Sequence, residues 1–266
     1  MGLVVTMGLM RVVNLAHGAF AAIGGYVAVI LMTKAGWPFV VSIACAVAGV
    51  TLFSLLVERV FFVHLYGASE LDQLLLTIGL DFLAVGGLTI FFGPNVFPMK
   101  LPPGLAGSVN LGFREFEVYR LVVIAVGAAV VTGLWIGLDR TSIGAQLRAA
   151  VDNRSMAQAT GINVPRLFSL TFAMGSGLAA LGGASGAPML PLEPLYPFKY
   201  LVLVLVVVAL SGYGNIRASV AVAMIVGIAE TAGRYFVPQY GAFVLYVVII
   251  VMMVWRKDGL FAGKPA

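Results

Sequence analysis

Long apolar runs, cut by short polar breaks, organise the whole chain. Gly2–Met10 is apolar but too short to cross a bilayer core, which takes about 20 apolar residues. Arg11, Asn14 and His17 then interrupt it, and a helical apolar run restarts over Gly18–Thr33. Trp37–Val57 completes a hairpin around Lys34–Gly36, and Leu74–Phe92, Tyr119–Leu138 and Leu167–Leu190 are further long runs. Leu201–Leu210 is intensely apolar but stops at Ser211-Gly212-Tyr213-Gly214-Asn215; Ala218–Ala229 resumes, and Ala242–Trp255 precedes a charged tail. The pattern predicts an all-α, polytopic transmembrane bundle with broken or re-entrant helices, forming one domain over 1–266.

Composition agrees. The chain is 61% hydrophobic and 10% charged, with a mean hydropathy of +1.04, whereas soluble domains carry roughly 25% charged residues. The net charge of +5 does not point to nucleic acid, because the basic residues sit between the runs, where they orient a membrane protein. Arg140, Arg148, Arg154 and Arg166 in the loop of about 139–166, with Arg256, Lys257 and Lys264 in the tail, assign both to the cytoplasm. The Gly93–Val118 loop, with Lys100 and Arg114 balanced by Glu115 and Glu117, then lies outside; Glu58–Gln73 lies inside with Arg59 as its basic residue. Cys45 is the single cysteine, which excludes an internal disulfide and a cysteine-based metal site. Met1–Met10 lacks the basic start and small-residue cleavage pattern of a signal peptide, and no metal or cofactor motif stands out.

The two polar breaks carry the first candidate chemistry. A broken hydrophobic helix marks a transport site, because its freed backbone groups tolerate hydrocarbon only beside protein or a water-filled path. Asn14, His17 and Gly18 in the first break, and Ser211, Gly212 and Asn215 in the second, are therefore expected to line a translocation path near mid-membrane. Leu201–Trp255 and Gly2–Val57 share one order: short run, break, resumed helix, turn, helix. This order reads as an internal repeat, although the residue identities match poorly. In the second half Leu167–Leu190 precedes the broken element and nothing corresponding precedes Met1. The repeat thus predicts an uncovered face on Gly2–Met10, met by an upstream span, a partner chain or lipid.

The loop of 139–166 carries the second. Ile143, Leu147, Ala150 and Val151 form an apolar helical stripe, and Arg148 and Asp152 are spaced for a surface pair. Ser155 and Gln158 fit a capping box, Gly161 a left-handed helix stop, and Asn163 with Pro165 the start of the next span. Two short helices projecting from the membrane follow, with Ser155–Gly161 as a docking element for a cytoplasmic partner.

The run Ile143-Gly-Ala-Gln-Leu-Arg-Ala-Ala-Val-Asp-Asn-Arg-Ser-Met-Ala-Gln-Ala-Thr-Gly-Ile-Asn-Val-Pro-Arg resembles the coupling loop of ABC-importer permeases, in particular the branched-chain amino acid, LivH-type family. Arg11-Val-Val-Asn-Leu-Ala-His-Gly-Ala-Phe resembles that family's N-terminal Asn-x-Ala-His-Gly segment, Leu210-Ser-Gly-Tyr-Gly-Asn-Ile its Gly-rich break, and Gly259-Leu-Phe its tail. Two features depart: Arg148 stands where more distant importer permeases have Glu, and family members usually begin with a helix upstream of this segment. The resemblance implies a bacterial inner-membrane permease subunit with a cytoplasmic C-terminus, importing branched-chain amino acids or related small polar solutes. Arg148, Asp152, Ser155, Met156, Gln158 and Gly161 would couple it to ATP hydrolysis. The chain has no Gly-x-x-x-x-Gly-Lys-Ser/Thr loop, so it implies two separate cytoplasmic ATPase subunits, a second related permease chain and a periplasmic binding protein, besides membrane lipid.

Three further groups bear on rival readings. Asp81 lies near the centre of Leu74–Phe92; it is either the coupling residue of an ion-driven secondary transporter or is satisfied by Thr77, one turn away. Gly183-Ala-Ser185-Gly resembles the Gly-x-Ser-Gly of rhomboid intramembrane proteases, but His17 and His64 both lie upstream of the serine, where a rhomboid base would lie downstream. Small-residue packing explains Gly175, Gly177, Gly182 and Gly186 as well. Glu230 and Arg234, four apart, suit an outer-surface ion pair.

Overall fold

The computed structural model describes residues 1–255 apart from Arg11, Val13, Leu111, Phe113, Arg114, Tyr213 and Gly214, and leaves aside the side chains of Leu9, Ala242 and Trp255. The expectations placed on Arg11, Arg114, Tyr213, Gly214, Arg256, Lys257, Lys264 and Gly259-Leu-Phe lie outside the described residues.

The described residues are mostly helical. In chain order the helices are α1 (Gly2–Met10), α2 (His17–Thr33), α3 (Phe39–Val60), α4 (Glu70–Phe92), α5 (Val118–Asp139), α6 (Ser142–Asp152), α7 (Arg154–Ala159), α8 (Val164–Gly186), α9 (Tyr196–Ser211), α10 (Ile216–Phe236) and α11 (Gly241–Trp255). A 3-10 turn, Phe62–Leu65, joins α3 to α4. Five of these helices, α3, α4, α5, α8 and α10, are long and apolar enough to cross a membrane; α2, α9 and most of α11 are shorter apolar helices. The loop after α4 holds a small antiparallel hairpin, β1 (Ser108–Asn110) with β2 (Glu115–Glu117). Phe97 N–H donates to the Leu192 carbonyl, which ties that loop to the segment before α9. The bundle thus has a hairpin end, and opposite it an end carrying α6 and α7.

Caps decide where several helices start. Ser69 and Asp72 form a reciprocal capping box that begins α4 at Glu70, four residues before the apolar run. Asn163 Oδ1 accepts from Arg166 N–H with Pro165 in the first turn of α8, as the sequence predicts. Tyr196 and Pro197 extend α9 upstream of its apolar run.

At the centre, α8 packs along α2 and α3 at very short range. A methyl group at Gly183 would lie 1.9 Å from the Ala21 carbonyl oxygen, and one at Gly24 2.6 Å from Ala180 Cα. Gly175 meets Thr6 and Gly177 meets Thr51 at 2.5 Å in the same sense, whereas Gly182 has open space and Gly186 only ordinary contact. The small-residue packing expected of α8 therefore runs through 175, 177 and 183, not through 182 and 186. Ser185 Oγ donates to the Leu181 carbonyl of its own helix, 2.6 Å away, so it is spent within α8 and not on a base.

The short first helix is not left uncovered. Leu3, Val4, Val5, Thr6, Met7 and Met10 are all buried, packed against α8, α6, α9 and α10. This corrects the expected uncovered face. The repeat predicts that α1 exposes a face that its counterpart α9 buries, but α8 covers α1 from the other half of the chain.

Candidate functional site

The first break reaches the middle of the bundle. Asp81 is the central residue of α4 and Gly175 that of α8, and both meet the start of α2. Asp81 Oδ1 accepts from Ala19 N–H at 3.1 Å. A methyl at Gly175 would lie 3.3 Å from His17 Nε2. The N-terminus of α2, with its positive dipole end, therefore sits at mid-bundle; Gly18 and Phe20 N–H donate to the Leu15 and Ala16 carbonyls. Asp81 caps it from another helix. Thr77 does not satisfy Asp81, as the sequence suggested; its hydroxyl donates to the Leu74 carbonyl. The carboxylate is fully buried, and its Oδ2 has no partner.

His17 and Gly18 line a cavity of about 230 Å³ together with Leu15, Gly182, Tyr196 and Tyr200. Gly18 lies against Pro197, where a methyl would come within 2.9 Å of the proline Cα, so the broken start of α2 faces the start of α9. Asn14 is wholly buried, and neither its amide nitrogen nor its amide oxygen has a partner; the His17 ring lies against the backbone of Gly2 and Asn14. Unpaired polar groups at this depth cost free energy unless a solute or water meets them.

The second break is different. Asn215 caps α10 through Ala218 N–H at 3.0 Å, and Ser211 accepts from Ser219 at 2.9 Å. Gly212 adopts φ +77°, a left-handed turn that suits glycine. Asn215 shares a groove of about 690 Å³ with Gly8, Trp135, Asp139, Arg148, Asp152 and Arg217. The break thus lies at the α6–α7 end and not at mid-bundle. α9 runs far enough before its stop to cross most of the bundle, which the ten-residue apolar run concealed. The two halves match in order of elements but not in the depth of their breaks.

At this end α6 starts at Thr141, whose hydroxyl accepts from Gly144 N–H. Arg148 does not pair with Asp152. Its guanidinium donates to the Leu138 carbonyl at 2.6 Å and lies 3.9 Å from Asp139, which Arg217 also approaches at 3.8 Å. Arg140 and Arg217 lie over Trp135, 5.7 and 5.3 Å from the ring centroid.

The helix expected at Ser155–Gly161 is present as α7, but Asn153 caps it, accepting from Met156 N–H at 3.0 Å. Ser155 stands in the first turn and makes no box with Gln158. An asparagine extended at the end of α6 places its carbonyl oxygen where Ser155 cannot, and that Asn-x-x spacing was the missed signal. Gly161 ends the helix at φ +86° with its N–H on the Gln158 carbonyl, as expected. Ser155, Met156, Gln158 and Gly161 are exposed, and within α7 Ala157 is the buried residue.

Sequence reading passed over one cluster. Glu58, near the end of α3, is wholly buried. Tyr66 donates to its Oε1, and Ser169 of α8 to its Oε2 at 2.8 Å. Burial, and then the hydrogen bond to Glu58, raise the Tyr66 pKa above the tyrosine range, so its hydroxyl stays a donor. A glutamate inside the last apolar turn of a span was the available signal. Glu230 and Arg234 pair as expected, at 2.7 Å on an exposed turn.

Comparison with known proteins agrees with this architecture. The permease protein BraD of the high-affinity branched-chain amino acid transport system of Pseudomonas aeruginosa is 24% identical over 277 residues, covering 99% of this chain and 90% of that protein. LivH of Escherichia coli, with the same description, is 24% identical over 279 residues at the same coverage. A probable LivH of Methanocaldococcus jannaschii is 23% identical, covering 98% of this chain and 86% of its own. No solved structure matches significantly. The family described as branched-chain amino acid transport system, permease component, matches residues 1–253, and this multi-pass membrane protein belongs to it.

Proposed function

We propose that this chain imports branched-chain amino acids or related small polar solutes across the bacterial inner membrane, driven by ATP hydrolysed on separate subunits. The observation that carries the reading is α7, a capped helix that exposes Ser155, Met156 and Gln158 beyond the bundle while anchoring through Ala157. A six-residue helix that buries so little of itself suits a partner's groove. The arginines of the α6–α7 end support a cytoplasmic side for α7 and for the C-terminus. Two ATPase subunits, a second related permease chain and a periplasmic binding protein complete the assembly.

Closure of the ATPases displaces α7 and switches the bundle between outward- and inward-open states. Asn14, His17 and Gly18 border the passage at mid-depth, and the unpaired Asn14 amide meets the polar ends of the solute in passing. Ser211, Gly212 and Asn215 border its cytoplasmic mouth beside Arg148 and Asp152. Tight binding along this route would slow release, so selection of the solute falls mainly to the binding protein.

Uptake of radiolabelled leucine by proteoliposomes holding the full assembly tests this. Uptake is expected to need ATP and to survive collapse of proton and sodium gradients. Uptake by the permease without ATPases, lost when either gradient is dissipated, would overturn it. Cysteine at Asn14, in a variant lacking Cys45, is expected to react with small water-soluble thiol reagents in at least one transport state. An inert Asn14→Cys in a transporting protein would move the path elsewhere.

A further inference from the structure

We propose that the turn joining α3 to α4, held by Glu58 through Tyr66, links the displacement of α7 to the broken start of α2. The inference rests on α7 being the ATPase-docking helix. Its basis is two sets of ring contacts, one reaching α7 and one reaching α2, joined by one turn of α8 and by the 3-10 turn that faces it. Arg154, the first residue of α7, lies 5.7 Å from the centroid of Phe168. Phe168 meets Tyr66 edge to face at 5.4 Å. One turn further along α8, Phe172 packs on Phe62 at 4.6 Å and meets Phe20 of α2 edge to face at 6.0 Å. Phe20 in turn meets His17 at 6.3 Å.

Every aromatic residue between Arg154 and His17 is at least half-buried, with Phe62 and Phe172 at 0% exposure. Close-packed rings of this kind cannot shift singly without opening a void or a clash. Tyr66 and Phe62 sit four apart on one short turn, facing Phe168 and Phe172 four apart on α8, so the two elements mesh as paired rungs.

Glu58 supplies the latch. It binds the turn through Tyr66 and α8 through Ser169. It is a positioning residue, touching neither solute nor nucleotide. Gln73 of α4 adds a second tie, donating to the Leu65 carbonyl at 3.1 Å. With the turn so held, a pull on Arg154 moves Phe168 and Tyr66 together, and Phe172 carries the motion to Phe20 and His17. Without the latch the turn slips and α7 moves alone.

The test measures ATP hydrolysed per leucine imported by the reconstituted assembly. Tyr66→Phe keeps the ring and removes the latch; Phe172→Leu keeps bulk and breaks the series. Both are expected to raise the ratio about 2- to 30-fold, the span for residues within a coupled network. Tyr26→Phe, which removes a buried, unpartnered hydroxyl away from the series, sets the background. A merely structural role would lower the amount of assembled protein and leave the ratio unchanged. Glu58→Gln keeps one carbonyl acceptor and is expected to keep the ratio nearer to wild type than Tyr66→Phe does. Cross-linking of Met156→Cys to the ATPase, in a variant lacking Cys45, tests docking separately. Cross-linking with an unchanged ratio in both Tyr66→Phe and Phe172→Leu overturns the linkage and leaves docking standing. No cross-link at any stage of the ATP cycle overturns both.

Discussion

Gly183→Ala is expected to be among the most damaging single methyl additions in the chain, and Gly182→Ala beside it among the least. The new Cβ at 183 would lie 1.9 Å from the Ala21 oxygen, 2.5 Å from its carbonyl carbon and 2.9 Å from its Cα. All three are backbone atoms, so no side-chain rotamer can relieve the contact. Restoring a carbon–oxygen separation of about 3.3 Å requires α2 and α8 to part locally by roughly 1.4 Å. A gap of about 1 Å already forfeits up to half the dispersion energy of the atoms across it. The interface also includes Gly24 against Ala180, so the loss is shared along the crossing. Overpacking costs of about 1–3 kcal/mol are ordinary where side chains can adjust; here the cost is put at ~3 kcal/mol or above. In a domain of this size that lowers the melting temperature by roughly 6–12 °C. At 182 nothing lies within 4 Å, and alanine gains about 0.5–1 kcal/mol of helix preference over glycine. Thermal unfolding of both variants in detergent, followed by intrinsic fluorescence, gives the comparison. Equal melting temperatures would refute the close approach of α2 to α8, and with it the placement of the α2 start at mid-bundle.

Three other outcomes are expected. Asp81→Asn keeps an acceptor for Ala19 N–H and should preserve uptake, whereas Asp81→Leu strands a buried donor at about 1–3 kcal/mol and should lower both stability and uptake; equal loss of uptake in two well-inserted variants would show that the charge itself is needed. Asn153→Ala removes the α7 cap, worth about 1 kcal/mol, and Gly161→Val forces a branched side chain to φ +86°; both should raise ATP use per solute, whereas Ser155→Pro, in the first turn, should be milder, an order that reverses if Ser155 is the true cap. Because the Tyr66 pKa is raised, its contribution to stability is full below about pH 10, the unfolded tyrosine value, and fades as pH rises beyond it. Melting curves of wild type and Tyr66→Phe should therefore stay a constant distance apart up to that pH and converge above it.

The helices were legible in the sequence because apolar runs of membrane length leave little choice of conformation. The loop helices were legible too, since Asn163, Pro165 and Gly161 are local signals with local effects. What failed was choice among local rivals, and depth. Asn153 and Ser155 both suit a cap, and only the extended backbone at Asn153 decides between them. Arg148 and Asp152 have the spacing of a pair, but the Leu138 carbonyl and Asp139 lie nearer to the guanidinium. Nothing in the run Leu201–Leu210 shows that Tyr196 and Pro197 lengthen its helix, so the second break is expected at mid-membrane when it lies at one end. Asp81 as a cap for α2, and α8 as the cover of α1, join residues far apart in the chain, where pattern reading has no purchase.

The dependence of α2 on α8 has a consequence for biogenesis. Gly24 and Ala180, which touch, are about 160 residues apart in the chain. At roughly 5–20 residues per second, the ribosome takes about 8–30 s to deliver the second after the first. During that interval α1 and the open start of α2 wait in the membrane without the helix that buries them. Asp81 is made much sooner, and its bond to Ala19 can close at once. The carboxylate thereby keeps the Ala19 N–H from lipid before the second half of the protein arrives, and it keeps that bond in the finished fold.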